Sequence, residues 1–156
     1  MSCLSWNCRG LGNPQTEDEL IALVSKQDPK IVLFMETELE KTSMERIGHR
    51  MQFHNIFAVP RVNRGGGLAL LWRDDISLDV QTYSDRHIDS FINHGVDDAW
   101  QFTGFYGDPD TASQEDSWSL LRVLSQRSNY PWVVLGDFNE ILLAEEKQGG
   151  LDRSEQ

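Results

Sequence analysis

The sequence predicts an α/β fold, and three patterns along the chain lead to that prediction. The first is a β-α-β unit at the start, in which residues 2–7 and 31–35 have strand character on either side of a helix. The second is a run of five strand patterns separated by turn residues. These lie at residues 55–59, 68–72, 76–83, 87–92 and 100–106. The third is a dense apolar run at residues 132–135, whose composition favours a strand buried on both faces.

The helix of the β-α-β unit has start and stop signals in the sequence. Residues 16–19 (Thr-Glu-Asp-Glu) have the pattern of a capping box, and the Asp28-Pro29 pair predicts the end of the helix. A strand-helix-strand unit of this length predicts two parallel neighbouring strands whose carboxyl ends lie on the same side. We therefore expect Asn7 and Glu36 to lie near each other.

Ile76, Leu78 and Val80 alternate strictly along the chain, which implies that one face of their strand is exposed to solvent. The five-strand run therefore predicts an antiparallel meander. Two further helices are predicted, one at residues 43–51 and one that begins near Ser113 and extends to about Ser128.

Composition limits the classes of protein that this chain can belong to. Its 156 residues are enough for one domain, and 39% hydrophobic and 25% charged residues are typical of a globular protein. Fourteen basic against 25 acidic residues give a net charge of −11. Such a charge argues against broad electrostatic binding to nucleic acid or to an anionic membrane. It is consistent with a site that needs a divalent metal ion to hold a phosphate.

The two cysteines, Cys3 and Cys8, lack the second pair that a zinc site would need, so we interpret them as reduced thiols. The sequence has no charged start followed by a long apolar run, and we expect neither a signal peptide nor a membrane span. These observations predict an intracellular protein of the nucleus or the cytoplasm.

Polar side chains follow four of the predicted strands, at Asn7, Glu36, Tyr106 and the Asp137/Asn139 pair. A carboxylate and an amide at the edge of a parallel pair suit a hard divalent cation that keeps several waters. A second carboxylate beside an amide can orient or deprotonate a water, and a tyrosine can donate to a phosphate oxygen. Each residue alone is explained by turn chemistry or exposure, but together they predict metal-assisted phosphodiester hydrolysis.

Five segments carry a resemblance to a known family. They are residues 6–10 (Trp-Asn-Cys-Arg-Gly), 33–37 (Leu-Phe-Met-Glu-Thr), 65–69 (Gly-Gly-Gly-Leu-Ala), 104–107 (Gly-Phe-Tyr-Gly) and 136–140 (Gly-Asp-Phe-Asn-Glu). In this order they resemble the endonuclease/exonuclease/phosphatase superfamily, and most closely the apurinic-type endonuclease domain of plant LINE-type retrotransposons. The matches extend from the first residues to about residue 150.

The resemblance implies a four-layer α/β sandwich, in which two packed mixed sheets have flanking helices, with residues 1–156 in a single domain. It also implies Mg²⁺-dependent cleavage of phosphate esters, with Mn²⁺ as an alternative cofactor. By position, Glu36 would be the principal metal ligand with Asn7 close to the metal. Asp137 would orient or activate the attacking water, Asn139 would hold the scissile phosphate, and Tyr106 would contact it.

Two arginines complete the expected site, and DNA is the partner that the family implies. Arg9 and Arg64 lie on loops beside the expected site, where they could contact flanking phosphates, although an exposed arginine in a turn is more often only solvated.

The sequence also departs from the family pattern. Family members continue past the Asp137 strand and close with a Ser-Asp-His motif, whereas residues 84–87 (Ser-Asp-Arg-His) precede Asp137. We therefore expect roughly the first two-thirds of the domain, with the C-terminal strands missing. Loss of a general acid or electrostatic group typically lowers the rate by about 10²- to 10⁴-fold, so catalysis should be very weak or absent. An unpaired sheet edge would also favour self-association.

Three functions are consistent with these observations. The first is a DNA endonuclease of retrotransposon type, impaired by the missing motif, and the endonuclease-like segments and the turn arginines favour it. The second is a phosphatase acting on small phosphorylated molecules such as inositol phosphates, which the net charge of −11 favours. The third is a non-catalytic remnant of the same fold, which the missing histidine favours.

Overall fold

The computed structural model describes residues 1–62 and 66–141. Within these residues the chain forms eight strands and three α-helices, and a short 3₁₀ turn at Thr111–Ser113 precedes the third helix. In chain order they are β1 (Cys3–Asn7), α1 (Pro14–Gln27), β2 (Ile31–Met35), α2 (Lys41–Arg50), β3 (Asn55–Val59), β4 (Leu68–Trp72), β5 (Leu78–Tyr83), β6 (His87–Ile92), β7 (Trp100–Tyr106), α3 (Gln114–Ser125) and β8 (Trp132–Asp137).

The strands form two four-stranded sheets, with the orders β1-β2-β4-β3 and β5-β6-β7-β8. Each sheet is mixed, since β1 and β2 are parallel, β7 and β8 are parallel, and the other pairs are antiparallel. The predicted parallel pairing of the β-α-β strands is confirmed.

The alternation of side chains along β2 divides the hydrophobic core into two layers. Val32 and Phe34 face a cluster that includes Leu20 of α1 and Ile47 of α2. Leu33, with Ile31 and Met35, faces the opposite way into a cluster shared with β6 and β7. Because successive strand residues point to opposite faces, one fully buried strand serves both layers. The predicted fold of two packed mixed sheets with flanking helices is confirmed.

Helix α3 covers the outer face of the second sheet through a mixture of apolar and polar contacts. Leu124 is buried there, and the backbone oxygen of Leu124 accepts a hydrogen bond of 3.0 Å from Gln101 Nε2. Asp89 is fully buried on this face, and its Oδ1 accepts bonds from Thr103 Oγ1 at 2.6 Å and Gln101 Nε2 at 3.0 Å. Gln101 thus joins the buried Asp89 of the sheet to the backbone of α3.

The predicted start of α1 is wrong. The helix begins at Pro14, and Asn13 is its N-cap, with Asn13 Oδ1 accepting from the backbone N–H of Gln15 at 2.9 Å. Glu17 is instead buried, and its carboxylate accepts hydrogen bonds from Arg46 and Arg50 of α2. An acidic residue of the apparent capping box therefore joins the two helices.

The predicted continuous meander is also wrong, because the five strands are divided between the two sheets. Strands β3 and β4 pair in the first sheet, where β4 also pairs with β2, whereas β5, β6 and β7 are in the second. The turn at residues 73–75 carries the chain from one sheet to the other. The first four residues of β4 are buried, as expected for a central strand with a core on each face.

Strand β8 is not buried on both faces as its composition predicts. It lies at an edge of the second sheet, with β7 as its strand partner in the described part of the chain. Val133 is 45% exposed and the other β8 residues are half-buried. An apolar sequence fits this position because β8 still contacts β1 and β2 on one face.

Two element boundaries differ by a few residues from the prediction, which is usual for helix ends. Helix α2 begins at Lys41, and α3 ends at Ser125. Ser113 occupies the N-cap position of α3 without a side-chain capping bond, and Asp110 caps the preceding turn by accepting from Ala112 N at 3.0 Å. None of the helices described is both long and apolar enough to cross a bilayer.

Candidate active site

The carboxyl ends of two parallel strand pairs meet at one end of the sandwich. In the first sheet β1 ends on Asn7 and β2 is followed by Glu36. In the second sheet Tyr106 of β7 is in register with Asp137 of β8. Because β1 and β2 pack against β8, side chains of both sheets come together at this point.

The amide of Asn7 joins the two carboxylates. Asn7 Nδ2 donates to Glu36 Oε1 and to Asp137 Oδ2, each at 3.2 Å. Its Oδ1 accepts from the backbone N–H of Arg9 at 3.1 Å, which fixes the orientation of the amide. Both amide hydrogens therefore point at carboxylates, one from each sheet.

The Asp137 carboxylate is held by the backbone around it. Its Oδ1 accepts from the backbone N–H of Asn139 at 3.0 Å, and its carbonyl oxygen accepts from Gly107 N at 2.8 Å. A Cβ atom on Gly136 would lie 1.8 Å from the Phe105 oxygen, and one on Gly107 would lie 2.0 Å from the Phe138 oxygen. The two glycines therefore allow the end of β8 to lie directly against β7.

Glu36 adopts a conformation that is uncommon for a residue with a side chain. Its φ angle is 48°, in the left-handed region, and its carbonyl oxygen accepts from Gly10 N at 2.8 Å. Its Oε1 accepts hydrogen bonds from the Tyr106 hydroxyl and from Asn7. Backbone strain of this kind persists where surrounding contacts over-determine it, and it is common at functional sites.

The environment of Tyr106 keeps its hydroxyl protonated. Burial, together with the bond to the Glu36 carboxylate and its charge, raises the pKa of Tyr106 from 10.0 to about 12. A hydrogen bond from Asn139 and the charge of Arg86 act in the opposite direction on this pKa. At neutral pH Tyr106 is therefore a hydrogen-bond donor to Glu36.

Arg86 is a member of the site that sequence reasoning missed. Its guanidinium carbon lies 5.3 Å from the centre of the Tyr106 ring, and its Nη2 donates to Asp108 Oδ2 at 3.2 Å. Its backbone oxygen accepts from Tyr106 N at 2.8 Å. The pairing of β6 with β7 could have placed Arg86 beside Tyr106, but the sequence does not define that register.

An open groove of about 340 Å³ runs along the site. It is lined by Glu36, Glu38, Val62, Gly66, Gly67, Asp85, Arg86, Tyr106 and Pro109. No histidine is among these lining residues, all of which belong to the described part of the chain. The groove thus exposes three carboxylates and one guanidinium, together with uncharged surface.

The remaining predicted site residues have different outcomes. Asn139 has a φ angle of 50° and its Nδ2 donates to the Gly107 oxygen at 2.7 Å, which places it beside Asp137. Arg9 is exposed, and its side chain makes no hydrogen bond or ion pair with another described residue. Arg64 lies outside the described residues.

A sequence profile of the Endonuclease/Exonuclease/phosphatase family matches residues 4–155, which is almost the whole chain. The chain belongs to this family. A search of curated proteins found no match. The resemblance of the five segments to this superfamily is therefore confirmed.

Several solved structures have the same fold as the chain. The endonuclease domain of TRAS1, a telomere-specific non-LTR retrotransposon, is 12% identical, with a TM-score of 0.63 over 90% of this chain and 61% of that one. An AP endonuclease from Archaeoglobus fulgidus is 19% identical, with a TM-score of 0.61 over 88% and 56%. A mannosyl-6-phosphatase from Bacteroides thetaiotaomicron is 17% identical, with a TM-score of 0.64 over 89% and 65%. The chain thus spans about three-fifths of the length of each.

The family includes enzymes that use divalent metal ions, and the side chains of this site fit such an ion. Among residues 1–62 and 66–141 no group of three or more His, Cys, Asp or Glu side chains could hold a metal ion. The site offers two carboxylates, Glu36 and Asp137, joined by the Asn7 amide. Mg²⁺ is commonly bound by one or two carboxylates while it keeps several waters and substrate phosphates. The donor set therefore fits Mg²⁺ bound largely through water.

Proposed function

We propose that this chain carries the Glu36–Asp137 site of a Mg²⁺-dependent phosphodiesterase that cleaves DNA, an endonuclease of retrotransposon type. The observation that carries the proposal is the Asn7 amide, which donates at 3.2 Å to one carboxylate from each sheet. The similarity in fold to a retrotransposon endonuclease domain and to an AP endonuclease supports it.

Glu36 is the principal ligand that would hold Mg²⁺ or Mn²⁺, with Asn7 beside it. When bound, such an ion would stabilise negative charge on the phosphoryl group and on the leaving oxygen. Tyr106 donates its single hydroxyl hydrogen to Glu36 Oε1, so its first role is to orient that carboxylate. A direct contact from Tyr106 to the phosphate requires this hydrogen bond to be redirected.

Asp137 orients the attacking water and accepts its proton. The bonds from Asn139 N and Asn7 Nδ2 occupy one direction at each carboxylate oxygen, and each oxygen can accept another hydrogen bond. The backbone contacts at Gly107 fix this carboxylate before substrate binds. A fixed general base of this kind typically contributes about 10²- to 10⁴-fold in rate.

Asn139 and the loop arginines supply the phosphate contacts. Asn139 Nδ2 donates to the Gly107 oxygen, and this side chain also hydrogen-bonds the Tyr106 hydroxyl, so it would hold the scissile phosphate by redirecting the bond to Tyr106. Arg9, exposed beside Asn7, and Arg64 contact flanking phosphates of the DNA. The acidic composition of the chain makes these local contacts more important than the overall field.

We expect cleavage by the 156-residue chain to be slow. No histidine lines the groove among the described residues, and the resemblance assigns phosphoryl charge stabilisation to a histidine. Removal of one such electrostatic contact typically lowers the rate by about 10²- to 10³-fold. Assays should therefore use single-turnover conditions with the protein in excess.

The test is nicking of supercoiled plasmid with Mg²⁺, with Mn²⁺ and with EDTA. Glu36→Gln and Asp137→Asn keep the shape of each side chain and remove its charge, so both should abolish nicking. Glu115→Gln is the matched control, because this exposed carboxylate on α3 lies outside the candidate site and, among the residues that the structure describes, pairs with Arg122. Metal-dependent nicking that survives both site substitutions would refute the proposal.

Two alternatives remain distinguishable in the same experiment. A phosphatase acting on small phosphorylated molecules is favoured by the net charge of −11 and by the acidic groove. It would release phosphate from an inositol phosphate while leaving the plasmid intact. A non-catalytic remnant would show neither activity when folded, although Mg²⁺ binding measured by calorimetry would be weakened by Glu36→Gln.

A further inference from the structure

Tyr83 is an exposed aromatic residue whose position the proposed mechanism does not use. Its side chain is 61% exposed, yet the ring is fixed by an edge contact with Phe57 of β3, with ring centroids 5.0 Å apart and planes at 65°. Edge-to-face contact leaves the other ring surface of Tyr83 free for a flat partner. An ordered aromatic ring that faces solvent is a ready stacking surface.

A β-bulge directs this side chain. The register between β5 and β6 shifts between Val80 and Thr82, and Tyr83 then pairs with Ile88, which belongs to the core between the sheets. Neighbours directly opposite in a sheet have side chains on the same face, so Tyr83 points toward the first sheet, at the margin beside Phe57. Bulges commonly redirect a side chain near a functional site.

Along the chain, Tyr83 lies just before two residues that line the groove. Asp85 and Arg86 follow it in the turn between β5 and β6, and both line the groove together with Glu36 and Tyr106. Val62, which is 65% exposed, lines the same groove. The groove therefore has apolar surface at Val62, and Tyr83, which is not itself a lining residue, lies two residues before Asp85 at its margin.

The charges along the groove exclude binding by broad contact with a phosphate backbone. Glu36, Glu38 and Asp85 face Arg86, whose guanidinium is already paired with Asp108. Nucleic-acid binding through phosphates needs several lysines or arginines, and it weakens steeply with salt. Affinity beyond the scissile phosphate and the phosphate contacts proposed for the two loop arginines must therefore come from the uncharged bases.

We propose that Tyr83 stacks on an unpaired base next to the scissile phosphate, so that the substrate class is DNA with unpaired nucleotides. This inference rests on the proposed function. A paired base cannot present its face to Tyr83, because that face is covered by its neighbours in the duplex. Stacking of one base on an aromatic side chain is typically worth about tenfold in affinity.

The test is fluorescence anisotropy with a labelled hairpin that contains a short single-stranded gap, compared with the fully paired hairpin. Binding is measured with Ca²⁺ in place of Mg²⁺, so that a divalent ion is present to hold the phosphate, and intact DNA at the end of the measurement shows that no cleavage has occurred. The wild-type chain should bind the gapped DNA about tenfold more tightly, with a shallow dependence on salt. Tyr83→Leu keeps apolar cover over Phe57 but removes the aromatic face, and it should abolish this preference, whereas Tyr83→Phe should retain it.

Trp6→Ala is the matched control. Trp6 is 47% exposed on β1, and its register partner Phe34 faces the helices, on the opposite side from the core between the sheets. This variant should keep the preference for gapped DNA. Thermal unfolding of each variant would establish that it is folded.

Three results would overturn the inference: equal binding of the two hairpins, a preference unchanged in Tyr83→Leu, or an equal loss in Trp6→Ala. The result is separable from the plasmid assay because the anisotropy measurement records binding and needs no catalysis. A preference that depends on Tyr83, in a chain that never nicks DNA, would support the stacking surface while refuting the nuclease. Nicking by a chain that shows no preference for gapped DNA would support the nuclease and refute the stacking surface.

Discussion

Strands β2 and β8 each position a carboxylate of the candidate site, but they lie in very different surroundings. All five residues of β2 are buried, with β1 and β4 on either side and a hydrophobic layer on each face. In β8, Val133 is 45% exposed, and the strand lies at a sheet edge beside β7. Glu36 therefore follows a strand that is held by packing on every side, whereas Asp137 ends an edge strand whose turn is held by backbone hydrogen bonds.

The largest expected difference between the two strands is in stability. Leu33→Ala in β2 should lower the free energy of unfolding by about 3–5 kcal/mol, because it leaves a cavity between the sheets. Val133→Ala in β8 should cost less than about 1 kcal/mol, because much of its side chain is already in water. Urea denaturation of both variants measures these changes in the free energy of unfolding. If the two variants lost equal stability, the edge strand would be packed as tightly as the central one.

Substitution at the end of β8 should move Asp137 itself. In Gly136→Ala the added Cβ would lie 1.8 Å from the Phe105 oxygen, so the two strands must separate, at a cost of about 1–3 kcal/mol or more. Because this separation displaces Asp137, metal-dependent nicking should also be lost. Gly12→Ala is the control because nothing lies within 4 Å of its Cβ, and it should leave both stability and nicking near wild type.

Asn7→Ala tests whether the two carboxylates depend on a common donor. Glu36 and Asp137 would each lose a hydrogen bond of 3.2 Å. We expect the free energy of unfolding to fall by about 1 kcal/mol and the nicking rate to fall by about 10²-fold. Denaturation and single-turnover nicking on the same preparation separate the two effects. A variant with full activity would show that packing and the turn of β8 suffice to place the carboxylates.

The smallest expected effect concerns pH. Because the pKa of Tyr106 is raised from 10.0 to about 12, its contribution to stability is complete below pH 10 and is lost as the pH rises toward 12. A titration of phenolate absorbance should show a late step near pH 12 that Tyr106→Phe removes. If Tyr106→Phe gave the same titration as the wild-type chain, the Tyr106–Glu36 hydrogen bond between the sheets would not be present in solution.

Local sequence patterns predicted the parts of the fold that depend on neighbouring residues in the chain. The β-α-β unit predicted that Asn7 and Glu36 would lie close together, and their side chains are hydrogen-bonded. Turn residues and apolar runs located all eight strands to within a few residues. These features follow from the backbone and from short-range periodicity, which a single sequence contains.

Features that depend on the partner across a sheet could not be predicted in this way. The run at residues 132–135 has the composition of a buried strand, but burial also depends on how many strands flank it. The bulge in β5 that turns Tyr83 toward Phe57 has no marker in the sequence, and neither has the placement of Arg86 beside Tyr106. The separation of β4 from β5 depends on a core that forms only when both sheets pack.

Gly104 lies opposite Leu33 in the layer between the sheets, and a Cβ at this glycine would be only 2.5 Å from Leu33 Cδ1. The thickness of that layer is thus set by a few side chains far from any substrate. Since Glu36 directly follows β2 of one sheet and Asp137 ends β8 of the other, the same thickness sets the gap between the two carboxylates. A displacement of about 1 Å at a reacting group can lower a rate by about 10²-fold. Changes in core volume are therefore expected to alter any cleavage by the candidate site without replacing one of its residues.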